Sequence, residues 1–222
     1  MNNFDKKNNV AAVIPFYNEC ANLNNIITQT INYVDTVIAV DDGSTDDSKN
    51  QIPSANNVIL ISSDKNYGKG HALNIGFKKS IEINSNITVT LDADLQHDPK
   101  SIPNILEKVN LFDIVIGNRL NDLSSMPVHR IMSNKITSLL LSIKTGQKIL
   151  DSQCGFRAYK TKILNDILPS STGFESESEI LVNASKRGYK IGFADIPTIY
   201  RNEKSKMKNV QTIKGFLKVI FQ

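Results

Sequence analysis

ITVTLDADLQHDP, residues 87–99, is the stretch that decides the fold. Ile87 to Leu91 is a short run of apolar and β-branched residues, the composition of a buried strand. It ends in Asp92 and Asp94, two apart, so in extended geometry the carboxylates point the same way, and Gln96 continues that face. Pro99 then suits the first turn of a helix reaching Val109. A strand that ends in acid and feeds a helix is part of a βα unit, and in open α/β sheets ligands lie beyond the carboxyl ends of the strands.

The same alternation extends in both directions. Upstream, the pattern gives a strand over Val10 to Ile14, a helix from Asn22 to Tyr33, a strand over Thr36 to Val40, a short helix from Asp42 to Gln51, a strand over Val58 to Ile61 and a helix from His71 to Ile81. Downstream, Asp113 to Gly117, Phe156 to Tyr159 and Tyr189 to Ala194 read as strands, and Ser176 to Lys186 as a helix ended by Gly188. His129 to Lys144 is an amphipathic helix, with Ile131, Met132, Ile136, Leu139, Leu140 and Ile143 on one face and Gly146 as its stop. The expected fold class is α/β, a mostly parallel central sheet flanked by helices. No repeat or linker divides the chain, so the simplest partition is one domain over residues 1–200 with a tail over 201–222.

Composition agrees with an ordinary globular chain of 222 residues, 40% hydrophobic and 22% charged. Cys20 and Cys154 have no metal-ligand spacing and read as reduced thiols in a cytosolic protein. The amino end lacks an apolar leader core, and no stretch approaches the roughly 20 apolar residues that span a bilayer, so neither secretion nor a membrane span is expected. The net charge of +4 is unevenly placed: residues 201–222 carry six cations against one anion, +5, which leaves −1 for the rest. A near-neutral body with a basic tail suggests an anionic partner, a phosphate or a membrane surface, unless the tail is simply solvated. Ile213, Phe216, Leu217, Ile220 and Phe221 make a short apolar stripe in that tail, suited either to a membrane interface or to docking on the domain.

Three expected strand ends are polar. Pro15, Phe16, Tyr17, Asn18 and Glu19 follow the first, Asp41 to Asp46 the second, and Asp92 to Asp98 the fourth. Carboxylate and amide oxygens from Asp92, Asp94 and Gln96 suit a hard divalent cation, Mg²⁺ or Mn²⁺, with positions left for phosphate oxygens. The same residues also serve an Asx turn capping the next helix, and His97 is either a further ligand or a hydrogen-bonding residue. No GxxxxGK[ST] loop exists, and NYGKGHALNIGF (66–77) is not a dinucleotide fingerprint. Gly68 and Gly70 read as a tight helix start whose amino end, with Lys69, can face an anion.

Taken in order, AVIPFYNE (12–19), VDDGSTDDS (40–48), NYGKGHALNIGF, LDADLQHDP, GNRL (117–120), DSQCGFRAY (151–159) and GFESESEI (173–180) resemble family 2 glycosyltransferases of the GT-A, or nucleotide-diphospho-sugar transferase, fold. The resemblance covers about residues 10–208 and is greatest to dolichol-phosphate (polyprenol-phosphate) mannosyl- and glucosyltransferases. It implies that Pro15, Tyr17, Glu19, Asp41 and Asp42 hold the base and ribose of a nucleotide-sugar, GDP-mannose or UDP-glucose. It implies that Asp92, Asp94 and Gln96 bind the diphosphate through the metal. Arg119, Arg130 and Ser133 match positions that grip an acceptor phosphate, and Arg157 lies in the CGFR segment beside the sugar and phosphates. Read as residues alone, Arg119 and Arg157 equally suit structural ion pairs that neutralise the acidic rim, and Arg130 and Ser133 an exposed helix face. Arg201, Ser205 and Lys206 match a mobile basic loop that closes over the substrates.

The expected activity is therefore inverting transfer of one hexose to a polyprenyl phosphate at the cytoplasmic face of a membrane. A phosphate monoester has a second pKa of about 6, so at neutral pH it is already a nucleophile and needs positioning more than a base. Relatives acting on sugar hydroxyls use a Glu-Asp pair near 173–180, where this chain reads Glu175, Ser176, Glu177. Glu175 remains the candidate catalytic carboxylate there, with Glu179 one turn on. With no Trp, the chain lacks the Q-x-x-R-W signature of processive synthases. The competing readings are a hydroxyl acceptor, a non-catalytic nucleotide-sugar module and, more remotely, a haloacid-dehalogenase-type phosphatase. Nucleic acid is not an expected partner, whereas a homo-oligomer or a membrane-protein partner stays open.

Overall fold

The computed structural model describes residues 9–121, 126–197 and 209–221, with the backbone alone at 209–211. Its described strands are β1 (Val10–Phe16), β2 (Thr36–Asp41), β3 (Val58–Ser62), β4 (Ile87–Thr90), β5 (Ile114–Asn118), β6 (Arg157–Lys160) and β7 (Ile191–Asp195). They form one sheet in the order β3-β2-β1-β4-β6-β5-β7. The helices are α1 (Leu23–Thr30), α2 (Lys69–Glu82), α3 (Ile102–Val109), α4 (Val128–Thr145), α5 (Leu164–Ile167), α6 (Ser176–Lys186) and α7 (Asn209–Phe221). β1 is buried along its whole length, as expected of a central strand covered on both faces, whereas β3 at the edge is only partly buried.

The pairings explain where the site lies. β1, β2, β3 and β4 run parallel, and β5 pairs parallel with β7. β6 alone is reversed: it inserts between β4 and β5, antiparallel to both, with Arg157 opposite Thr90 on one side and Ile116 on the other. The segment that leads into β6, residues 151–156, therefore reaches the same rim as the carboxyl ends of β4 and β5. All seven strands fall where the sequence pattern puts them, but the reversal of β6 has no signature in its four residues.

The 128–145 helix departs from the usual reading of amphipathicity. An apolar stripe ordinarily faces the core. In α4 the buried residues are instead Asn134, Ser138 and Leu141, while Met132, Ile136, Leu139 and Ile143 are 56–73% exposed. The inward polar side chains have partners, because Ser138 Oγ donates to Asn134 Oδ1 and receives the Ser152 N–H at 2.9 Å. The tail stripe is split. Val219 is buried and Phe216 and Ile220 pack on the core, whereas Ile213, Leu217 and Phe221 remain exposed. Leu141→Ala is expected to cost about 3 kcal/mol, and Met132→Ala less than about 0.5 kcal/mol, measured by urea unfolding.

Candidate active site

At the β1 end, the backbone bends through Asn18, whose φ of +54° is the left-handed region that asparagine tolerates. Its side-chain oxygen accepts the Thr45 N–H at 2.9 Å, and its own N–H donates to Ser44 Oγ at 3.0 Å. Glu19 N–H donates to Ser48 Oγ at 2.8 Å, so the polar loops after β1 and β2 are stitched together. Asp41 is fully buried, accepts the Ser44 N–H and pairs with Lys49 at 3.1 Å. Asp42 accepts the N–H groups of Tyr67 and Gly68 at 3.0 and 2.8 Å, which ties the β2 end to the start of α2. Gly68 has a φ of +106°, and a Cβ there would strike the Thr172 carbonyl. This turn needs glycine.

Beyond β4, Lys69 from the first turn of α2 places its ammonium 2.6 Å from Asp92 Oδ1 and 3.0 Å from Glu177 Oε2. Burial alone would lower the Lys69 pKa, but the two carboxylates outweigh it and the net shift is upward. Burial likewise pushes Asp92 up, and Lys69, His97 and Arg119 more than offset it, so Asp92 is held below the usual carboxylate range. His97 Nε2 lies 3.8 Å from Asp92 Oδ2. Desolvation first, and the Arg119 charge second, push the imidazole down to about 4. It is neutral at pH 7. Gly155 closes the other side of Asp92, where a Cβ would collide with Oδ2. Asp94 Oδ1 accepts the Gln96 N–H at 3.1 Å, and between them buried Leu95 has a φ of +58°. A bulky residue in that region marks a strained turn, the kind that clusters at functional sites.

Beyond β5, Arg119 is gripped by Asp151: Nε at 2.8 Å from Oδ2 and Nη2 at 3.0 Å from Oδ1. Asp151 is fully buried, and Asn134 of α4 donates to it at 2.6 Å. Burial raises the Asp151 pKa, and the Arg119 hydrogen bonds and charge bring it below the ordinary value. Because Arg119 depresses the pKa of both Asp92 and His97, the strand ends of β4 and β5 share one electrostatic field.

Not every expected residue joins this group. Arg157 is fully buried and donates to the carbonyls of Cys154, Glu177 and Ser152 at 2.7–2.9 Å, so it braces the 151–156 segment against α6. Glu175 faces α7, where a Cβ on Gly215 would fall 2.7 Å from its Cδ, and it lines a cavity with Glu179 and Lys218. Glu177, two residues on, takes the place near Asp92. Glu179 accepts four hydrogen bonds from Ser170 and Ser171. Pro15 is buried, Tyr17, Glu19 and Arg130 are half-buried, and Ser133 is exposed. Arg201, Ser205 and Lys206 lie outside the described residues. Cys154 is buried, which pushes its thiol up to about 12, beyond useful reactivity.

Sequence reading passed over Glu177, Asp151 and Asn134. Asp151 had one usable signal: an arginine at a buried strand end requires a carboxylate, and DSQCGFR supplies one.

Comparison with known proteins identifies the family. The family model described as Glycosyl transferase family 2 matches residues 11–168. The chain belongs to glycosyl transferase family 2. A similar relative is the UDP-N-acetylglucosamine–dolichyl-phosphate N-acetylglucosaminyltransferase of Methanococcus voltae, 31% identical over 92% of this chain and 90% of the relative. Another is the undecaprenyl-phosphate 4-deoxy-4-formamido-L-arabinose transferase of Proteus mirabilis, 33% identical over 76% of this chain, which spans 54% of that relative's length. The fold matches the glucosyl-3-phosphoglycerate synthase of Mycobacterium tuberculosis, solved with Mn²⁺, UDP and glucosyl-3-phosphoglycerate, with a TM-score of 0.76 at 20% identity over 97% of this chain and 81% of that one. The expected GT-A architecture is thereby shown.

For this glycosyl transferase the fit of a divalent cation can be judged from the donors present. Among the described residues no three His, Cys, Asp or Glu side chains converge to hold a metal ion. Asp94 and Gln96 offer hard oxygens, and Mg²⁺ sites with one or two carboxylates completed by substrate phosphates are common. Such an ion fits.

Two outcomes follow from this packing. Unfolded, His97 would bind a proton at about pH 6.5, while the folded protein refuses it until about pH 4, so stability falls as pH drops through that window. The expected loss is roughly 3 kcal/mol, and the His97→Phe variant should show a flatter profile in unfolding titrations. Gly155→Ala forces Asp92 or the backbone to move and should cost about 1–3 kcal/mol by the same measurement.

Proposed function

We propose that the chain transfers a single sugar from a nucleotide-sugar to a polyprenyl phosphate. The observation that carries the reading is that the Arg119–Asp151 pair and Asp92 with Lys69 stand at the same rim, at the ends of β5 and β4. It sets a cation suited to a phosphate acceptor beside the carboxylates suited to a donor diphosphate. The names of the Methanococcus and Proteus relatives support a lipid phosphate acceptor, and the UDP in the name of the former favours a uridine donor over GDP-mannose. Mannose, glucose and an N-acetylated hexose are the sugars to compare.

In this scheme the loops after β1 and β2, with Pro15, Tyr17, Glu19, Asp41 and Asp42, receive base and ribose, and Lys69 faces the diphosphate. Asp94 and Gln96 would hold Mg²⁺ or Mn²⁺, which supplies electrostatic stabilisation of the negative charge left on the departing diphosphate. Arg119, with Arg130 and Ser133 from the start of α4, orients the acceptor oxyanion for a direct, inverting displacement. Arg201 and Lys206 are assigned to the same phosphate. No general base is required, because the phosphate oxygen already carries the charge. Glu175, facing α7, has no step to perform in this mechanism.

The exposed apolar rows of α4 and α7, interleaved with exposed Lys135, Lys214 and Lys218, suit an anionic membrane surface. Among the described residues no helix is long and apolar enough to cross a membrane. The catalytic unit is then residues 1–200, with 201–222 as its basic, membrane-facing tail.

The test is transfer from labelled UDP-sugars and GDP-mannose, with polyprenyl phosphate and oligosaccharides as acceptors. Label should enter the lipid phosphate alone, and Asp94→Ala should lower the rate at least about 1,000-fold with its circular dichroism unchanged. Transfer to sugar hydroxyls only, or binding without turnover, contradicts the reading.

A further inference from the structure

We propose that Asn134 is a positioning residue for the acceptor phosphate, acting through Asp151 to fix the guanidinium of Arg119. The inference rests on the phosphate-acceptor reading above and goes beyond it by giving the buried polar side of α4 a part in the reaction. Position 134 is buried on a helix whose apolar residues Met132, Ile136, Leu139 and Ile143 are left outside. A buried helix position ordinarily takes an aliphatic side chain, and a buried amide costs stability unless its groups find partners. The partners found here lead to Arg119.

Among the described residues, the donors to the Asp151 carboxylate are Arg119 and Asn134. Arg119 gives its backbone N–H at 3.2 Å, Nε at 2.8 Å and Nη2 at 3.0 Å, and Asn134 gives Nδ2 at 2.6 Å from Oδ1. Arg119 and Asp151 therefore hold each other, and Asn134 ties the pair to a further element. Asp151 lies in a segment without helix or strand, whereas Asn134 belongs to the second turn of an 18-residue helix. The amide cannot be turned over. A carboxylate only accepts, so Nδ2 must face Asp151, and Oδ1 accepts the Ser138 hydroxyl at 3.0 Å. Ser138 Oγ in turn accepts the Ser152 N–H at 2.9 Å, which sets the residue after Asp151 against the same helix. Gln153, the next along, donates from Nε2 to Ser133 Oγ at 3.2 Å. Arg130 and Ser133, assigned above to the acceptor phosphate, lie in the same two turns as Asn134, so this contact also fixes their spacing to Arg119. A guanidinium held in this way is placed before the phosphate arrives, and misplacing such a group by about 1 Å can cost about 100-fold in rate.

Asn134→Leu keeps the volume and removes the donor. Initial rates are measured with UDP-sugar and polyprenyl phosphate, each varied against a saturating level of the other, on chains checked by circular dichroism and thermal unfolding. The KM for the lipid phosphate should rise at least about tenfold, while the KM for the nucleotide-sugar stays at the wild-type value. Ser142→Ala removes a hydroxyl from the same inward side of α4, where it accepts the Ile149 N–H at 2.9 Å, and should leave both constants unchanged. General loosening of α4 would move that variant as well. Asn134→Asp supplies a group that donates only when protonated. Beside Asp151 it shares one proton in acid, and as pH rises its charge competes with the phosphate for Arg119. Its acceptor KM should match the wild type in acid and climb above it with pH. His97 and the Cys154 thiol, the other titrating groups on which Asp151 acts, have pKa values of about 4 and about 12 and leave the interval between clear. The inference is overturned if folded Asn134→Leu keeps the wild-type acceptor KM, or if both constants rise together. Should Asn134→Leu not fold, an acceptor KM in Asn134→Asp that does not change with pH relative to wild type overturns it. If the wild type transfers to no lipid phosphate, the acceptor reading fails, and a crystal structure of the folded variant decides the positioning role. There, an unmoved Arg119–Asp151 fork overturns it and a displaced guanidinium bears it out.

Discussion

Lys69 carries its ammonium to a place where Asp92 and Glu177 lie 2.6 and 3.0 Å away, and much of the surrounding structure exists to keep it there. Its position requires α2 to start directly beside the β4 end, which the Gly68 turn and the two backbone bonds to Asp42 secure. It requires α6 to present Glu177 from the opposite side, which Arg157 secures by donating to the Glu177 carbonyl. A half-buried lysine shared by half-buried Asp92 and buried Glu177 ties the three segments into one electrostatic unit.

The second requirement is topological. A wholly parallel sheet would deliver the 151–156 segment to the far edge of the strands. Reversing β6 between β4 and β5 brings Asp151, Gly155 and the start of Arg157 to the rim where Asp92 and Arg119 already lie. Arg119 and Asp92 thus come to one rim. α4 completes the arrangement by turning Asn134 inward onto Asp151, and the same rotation leaves its apolar residues outward. Surface properties and site geometry are here two faces of one helix.

Strand positions were legible because short apolar and β-branched runs separated by helical periods admit few alternatives, and the polar rim was legible because Asp92, Asp94 and the Asp41–Asp42 loop follow such runs directly. What stayed hidden depends on contacts between distant residues. Glu177 lies 108 positions from Lys69 and Asp151 lies 32 from Arg119, so no local pattern ties either pair together. Arg157 was legible only as a choice between a ligand-binding cation and a structural ion pair, and with no exposed surface it satisfies three carbonyls, which neither alternative specified. The outward apolar face of α4 was equally opaque. Periodicity reports that a helix has two faces, and it is the partners Asp151 and Ser152 that decide which one turns inward.

The catalytic scheme turns on a divalent cation held beside the donor diphosphate at the β4 end, and an anomalous difference map from crystals grown with Mn²⁺ and UDP examines it directly. The account predicts a manganese peak within coordination distance of Asp94 and the diphosphate oxygens. A peak remote from Asp94, or UDP bound elsewhere than at this rim, would contradict it.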